Sequence, residues 1–294
     1  MRASFFFPFP LTTSIFDHLE DRWERPVTRR WVANILVFAF MFSLAAIELN
    51  RHQCFPVGLS ALIPVNHFYA IKLAFDLLLI IEVLGLVFSL ASSVADAMGK
   101  QFEILSLILL RQSFKEFTHF TEPLEWESIS SSVWYMLSDA GGALLIFWLV
   151  LVYYRLQRHK RISDVDEDRL SFVSVKKAVA LMLLTLFVAI GFHDASTWWR
   201  YGQGYSFFSI FYLTLIFSDI LIVLISLRYS NVYGIVFRNS GFAVATVLIR
   251  LALTAPPFVN ALLGFASVGL GIGLTLAYNY FQSLPVARTE KYAD

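Results

Sequence analysis

Four charged side chains interrupt runs that are otherwise apolar: Asp76 in FDLLLII, Arg111 in LILLRQS, Asp219 in SDILIVLI and Arg250 in VLIRLAL. A guanidinium near the centre of a bilayer costs about 2.5–3.5 kcal/mol even on lenient insertion scales, so it turns toward the protein interior and takes a partner. A carboxylate at matching depth is the natural one. Such pairs can fix helix register with no transport role. Alternatively, charges held there line an ion or proton path. Glu82, Glu103 and Asp139 are the further acids that such a path could use. Glu82 and Glu103 lie nearer the inner side, where either can pair with Lys100, whereas Asp139, beside Gly141 and Gly142, has no evident partner.

Histidines offer a different chemistry. His52, His67, His119 and His193 all map to the outer side, and HDASTWW sets His193 beside Asp194, Trp198 and Trp199. A b-type haem or a metal ion needs imidazoles converging at one depth. No HxxxH spacing occurs, so loop or interface histidines are expected, with the tryptophans as an interfacial anchor. A haem-associated redox subunit using these histidines is the alternative reading. No bound cofactor or metal is expected.

The elements that must position these residues are read from composition. The 294 residues are 57% hydrophobic and only 15% charged, with a mean hydropathy of +0.65, well below the quarter or so of charged residues usual in soluble domains. The chain therefore reads as an integral membrane protein with the lipid bilayer as its main partner. A net charge of +1 with no basic domain argues against nucleic acid. The single cysteine, Cys54, excludes an internal disulfide and a CxxC motif. No Walker glycine loop, GxSxG or HExxH is present, and an enzyme is not expected.

Crossing about 30 Å of hydrocarbon takes some 20 apolar residues. Candidate spans are 31–49, 68–92, 101–118, 132–156, 174–194, 206–228, 240–255 and 257–281. The seventh is short and must extend backward past Gly241 or sit in thinned bilayer. With the N-terminus cytoplasmic, 17 of the 23 Lys and Arg fall on the inner side and six outside or within the membrane. That asymmetry places both termini inside and supports an even number of spans. Residues 1–30 read as a cytoplasmic amphipathic arm, 157–173 as a charged cytoplasmic linker and 282–294 as a cytoplasmic tail.

The two halves, 31–156 and 174–281, echo each other. A basic pair opens each (Arg29 and Arg30, Lys176 and Lys177), an acid follows in the second span, an arginine in the third, and glycines with terminal tyrosines in the fourth. The offsets between matched residues drift from 147 through 143 to 139. This order predicts an all-α polytopic protein of eight transmembrane helices in two tandem four-helix repeats. An even number of spans per copy makes the repeats parallel. Depth pairs Asp76 with Arg111, at roughly 12 Å from the outer surface and 15 Å from the inner one, and likewise Asp219 with Arg250. Lys72, four residues before Asp76, can also satisfy that acid locally. The glycines of SVGLGIGLTLAYNY are spaced for close helix contact.

From Asp219 onward, SDILIVLISLRYSNVYGIVFRNSGFAVATVLIRLALT resembles the phosphate-starvation-inducible PsiE family of small four-helix bacterial membrane proteins. The resemblance lies in Arg228 and Tyr229 at the inner end of one span, Arg238 in the inner loop and Arg250 in the next span. It covers roughly 60 residues. The first half keeps only the Arg111 equivalent, with Ser89, Leu90 and Lys100 elsewhere in the pattern. It implies an inner-membrane location and little chemistry. The four-helix unit also looks like a voltage-sensor module, but 132–154 and 257–281 lack that module's periodic arginines. The expectation is a non-enzymatic inner-membrane protein, channel- or transporter-like or a stress-associated scaffold, partnered by further copies of itself or by other membrane subunits.

Overall fold

The computed structural model describes residues 10–60, 63–89, 94–120, 124–157, 166–201, 207–229 and 233–283, and among them no strand occurs. The helices are α1 (Pro10–Glu24), α2 (Pro26–Arg51), the single turn α3 (Val57–Ser60), α4 (Phe68–Ser89), α5 (Val94–Lys115), α6 (Trp126–Leu156), α7 (Asp166–Tyr201), α8 (Phe207–Tyr229), α9 (Tyr233–Thr254) and α10 (Val259–Ser283). A 3₁₀ turn, Glu116–His119, follows α5. Each of the eight apolar runs overlaps one of the long helices among the described residues. Five stretches are long and apolar enough to cross a membrane: Pro26–Arg51, Trp126–Leu156, Phe172–Thr197, Tyr233–Thr254 and Val259–Ser283.

Several boundaries differ from those expected. The first long helix begins at Pro26, not at 31, because proline suits the first helical position, where its missing N–H is no loss. The 157–173 linker is shortened, since α7 starts at Asp166. Residues 158–165, most of the 282–294 tail and the first nine residues lie outside the described residues. The short seventh span does extend backward: α9 has 22 residues, about 33 Å at 1.5 Å each. Arg238 consequently sits inside α9, not in an inner loop.

At the centre, α5 and α6 pack on each other and against α9 and α10, while α4 lies on α5, α8 on α9, α2 on α4 and α7 on α8. Glycine sets the closest approaches. A Cβ at Gly142 would stand 2.6 Å from the Cβ of Ala261, and one at Gly271 would stand 2.6 Å from the Phe102 ring, whereas Gly141, Gly269 and Gly273 have nothing within 4 Å. Only part of the glycine pattern therefore serves contact. Polar side chains staple the same helices, with Ser267 Oγ donating to the Ala245 carbonyl at 2.7 Å and Asn279 Nδ2 to the Leu156 carbonyl at 2.9 Å.

The amphipathic arm is docked. Phe16 of α1 is fully buried, where its ring and that of Trp23 pack on Phe88 of α4 at 5.7 and 5.6 Å. Asp17 meets Lys177 of α7 at 2.5 Å.

Candidate functional site

Asp219 lies on one face of α8 with Tyr212 and Leu215, seven and four residues before it, and all three are buried. Residues at i, i+3 and i+7 share a helix face. That face meets α9 and brings Asp219 Oδ2 to 3.4 Å from Nε of Arg250, with the two side chains 5% and 0% exposed. The contact is ionic without hydrogen-bond geometry, and Nη1 and Nη2 of Arg250 have no hydrogen-bond partner among the described residues. Two buried donors are thus left unmatched on a cation shut off from solvent.

The first half differs from the expected pairing of Asp76 with Arg111. Arg111 forms its ion pair with Glu82. Depth alone does not choose between the acids; azimuth does. Phe75 stacks on Phe114 of α5 at 4.8 Å, which marks the face that α4 presents to α5. Glu82, seven residues on, returns to that face, while Asp76 is rotated about 100° from it. Side chains also lean toward the N-terminus of their own helix, so on antiparallel helices Arg111 reaches down and Glu82 reaches up. Asp76 is half-buried, and the cations acting on it are Lys72 and Lys115. Glu103 is exposed.

Asp139 has partners that its helix alone could not reveal. It is 2% exposed, and its Oδ1 accepts from Asn260 Nδ2 at 2.8 Å. The same amide nitrogen approaches Gln112 Oε1 at 3.2 Å, and Gln112 Nε2 reaches the Leu253 carbonyl at 3.4 Å. Asn260 Oδ1 accepts from the backbone N–H of Ala261 at 2.6 Å. Residues from α5, α6, α9 and α10 are thereby joined. Asn260 and Gln112 were not singled out from sequence. A signal existed in Asn260, a polar residue opening an apolar helix just after Pro256 and Pro257.

Two of the four histidines His52, His67, His119 and His193 converge. Glu48 takes His52 Nε2 at 3.2 Å and His67 Nε2 at 2.9 Å, with Arg51 Nη1 at 3.1 Å from His67 Nδ1. His119 and His193 are exposed elsewhere, and the side chains of Trp198 and Trp199 lie outside the described residues. Among the described residues, no three His, Cys, Asp or Glu side chains are placed to hold a metal ion. Arg238 stands over the Tyr278 ring at 4.4 Å, while the side chains of Arg228 and Tyr229 lie outside the described residues.

The architecture is that of an all-helical, multi-pass integral membrane protein carrying charge at its centre. No family model, curated protein or solved structure matches the chain.

Proposed function

We propose that the chain is an eight-span inner-membrane protein of the channel or transporter class, built from two tandem four-helix repeats with both termini cytoplasmic. The observation that carries this reading is Arg250, fully buried beside Asp219 with two donor nitrogens unpartnered. Charge and unmatched donors in a membrane interior are costly, and intramembrane ionisable residues commonly mark ion pathways. A purely structural pair gains from satisfying every donor. Here, a second arrangement of the helices or a passing anion or water, either of which can accept from the guanidinium, would do so.

Support for the repeat comes from register. Arg111 stands four residues before Lys115, the end of α5, and Arg250 stands four before Thr254, the end of α9. The acids that pair with them precede by 29 residues in the first half and 31 in the second. Substituting Glu82 for Asp76 thus brings the offsets of matched acid and arginine to 137 and 139. The flanking helices repeat the pattern, with α2 on α4 and α7 on α8.

The test is proton and monovalent-ion flux in proteoliposomes, comparing the unaltered protein with Arg250→Gln, Arg111→Gln and Asp139→Asn at matched folded yield. Flux that an arginine variant alters places the charges on a pathway. Absence of flux, with variants losing only thermal stability, would move the protein to the scaffold class.

A further inference from the structure

We infer that Asp139 is a proton-binding site at the seam between the two halves, and that its proton controls the bond that ties α6 to α10. The inference rests on the transport reading and names the coupling ion. Three observations converge on it.

The first is charge. Asp139 is buried, and among the described residues no lysine or arginine pairs with it. The groups facing it are neutral or like-charged: Gln112 from α5, Asn260 from α10 and Glu116 from the 3₁₀ turn. A carboxylate held away from water without a cation is strongly disfavoured and takes up a proton or a metal cation instead.

The second is coordination. A sodium ion would need about six oxygens around it, a requirement akin to that of other hard cations. Asn260 turns its nitrogen to Asp139 and commits its Oδ1 to Ala261 N–H. This offers the acid a donor and withholds an oxygen from a cation. The geometry suits H⁺.

The third is location. Asn260 is next to Ala261, which touches the α6 backbone so closely at Gly142 that no Cβ would fit. The hydrogen bond between Asn260 and Asp139 therefore sits beside one of the closest contacts between the halves. It is charge-assisted, and roughly twice as strong, only while Asp139 is ionised. Protonation weakens it and loosens α6 from α10; release of the proton draws them together.

The measurement is infrared difference spectroscopy of the full chain in lipid, following the protonated-carboxyl band against pH in sodium and potassium buffers. The expected result is a band that titrates in the unaltered protein, is absent in Asp139→Asn, and is indifferent to the alkali ion. Asn260→Leu removes the donor that favours the ionised form, so its band should persist to higher pH, with proton affinity raised about tenfold. Helical circular dichroism identifies variants that fold. A carboxyl band of Asp139 that never titrates, or a titration displaced by sodium but not by potassium, overturns the proposal. Titration without flux leaves the proton site standing and removes the pathway. Flux with no Asp139 band at any pH removes the site and leaves the pathway.

Discussion

Arg111 and Arg250 each stand four residues from the C-terminal end of their helix, yet the first is 29% exposed and the second 0%. Their acids follow suit, Glu82 at 9% and Asp219 at 5%. The difference arises from neighbours. Both helices are surrounded, α9 by α5, α8 and α10 and α5 by α4, α6 and α9, so the contrast lies in how fully the neighbours cover each arginine's own face. A partly exposed pair can be wetted or can snorkel toward a polar surface, while a fully buried pair has no such escape. Identical charges in matching register are therefore bound to different energetic consequences by burial alone.

The largest expected effect follows at the central pair. Arg250→Leu strands Asp219 as a buried anion and should lower stability by about 3–5 kcal/mol, read as a fall in the thermal midpoint in detergent. The double variant Arg250→Leu with Asp219→Leu should recover most of that loss, because the desolvation of both charges disappears together. Should the single and double variants be equally unstable, the pair contributes through shape and not charge, and the contrast with Arg111 loses its basis.

Arg111→Gln should cost less, about 2 kcal/mol, between the values for exposed and fully buried pairs. A double-mutant cycle sharpens the comparison further. Arg111 should couple to Glu82→Gln and show little coupling to Asp76→Asn, with melting in detergent as the readout. Strong coupling to Asp76 would restore the pairing that depth alone suggests.

The sequence carried the helices and the acids, but not which acid meets which base. Hydropathy marks a run as apolar wherever it lies, and counting residues along it gives a depth but not a direction around the helix axis. Azimuth requires knowing which face of α4 meets α5, which only the Phe75–Phe114 contact supplies. Asp139 was visible as an acid without a partner in its own helix, yet Asn260 lies 121 positions away and becomes its partner only once α6 and α10 stand side by side. The helical residues 166–173 escape hydropathy, because a charged stretch lacking apolar period reads as a linker.

Glycine gives a third, smaller test of the seam between the halves. Gly142→Ala would force the new Cβ against Ala261, whose Cα lies 3.3 Å away, and should cost about 1–2 kcal/mol through helix displacement. Gly141→Ala, facing open space one residue earlier, should be neutral or stabilising by up to about 1 kcal/mol from helix propensity. Equal melting temperatures for the two variants would mean that α6 and α10 are not in contact there.

The smallest effect concerns the basic pairs that open the halves. Arg29 and Arg30 are exposed, whereas Lys176 is buried and Lys177 is held by Asp17 of α1. The arm thus covers the second half's pair alone. Glu20 of the same arm is partly buried, and loss of solvation, with Glu24 next in effect, raises its pKa above the ordinary 4.5 against the pull of Lys100 and Lys177. An acid whose folded pKa exceeds its unfolded one binds more protons when folded, so its contribution is present at low pH and fades as pH rises through the folded value. Docking of α1 should accordingly be firmer just below that raised value than at neutral pH. Hydrogen exchange across Pro10–Glu24 should show slower opening in mild acid, after correction for intrinsic exchange rates, and Glu20→Gln should flatten the dependence. If the variant keeps the full pH response, the arm senses another group, and the asymmetry between the two basic pairs is not tied to Glu20.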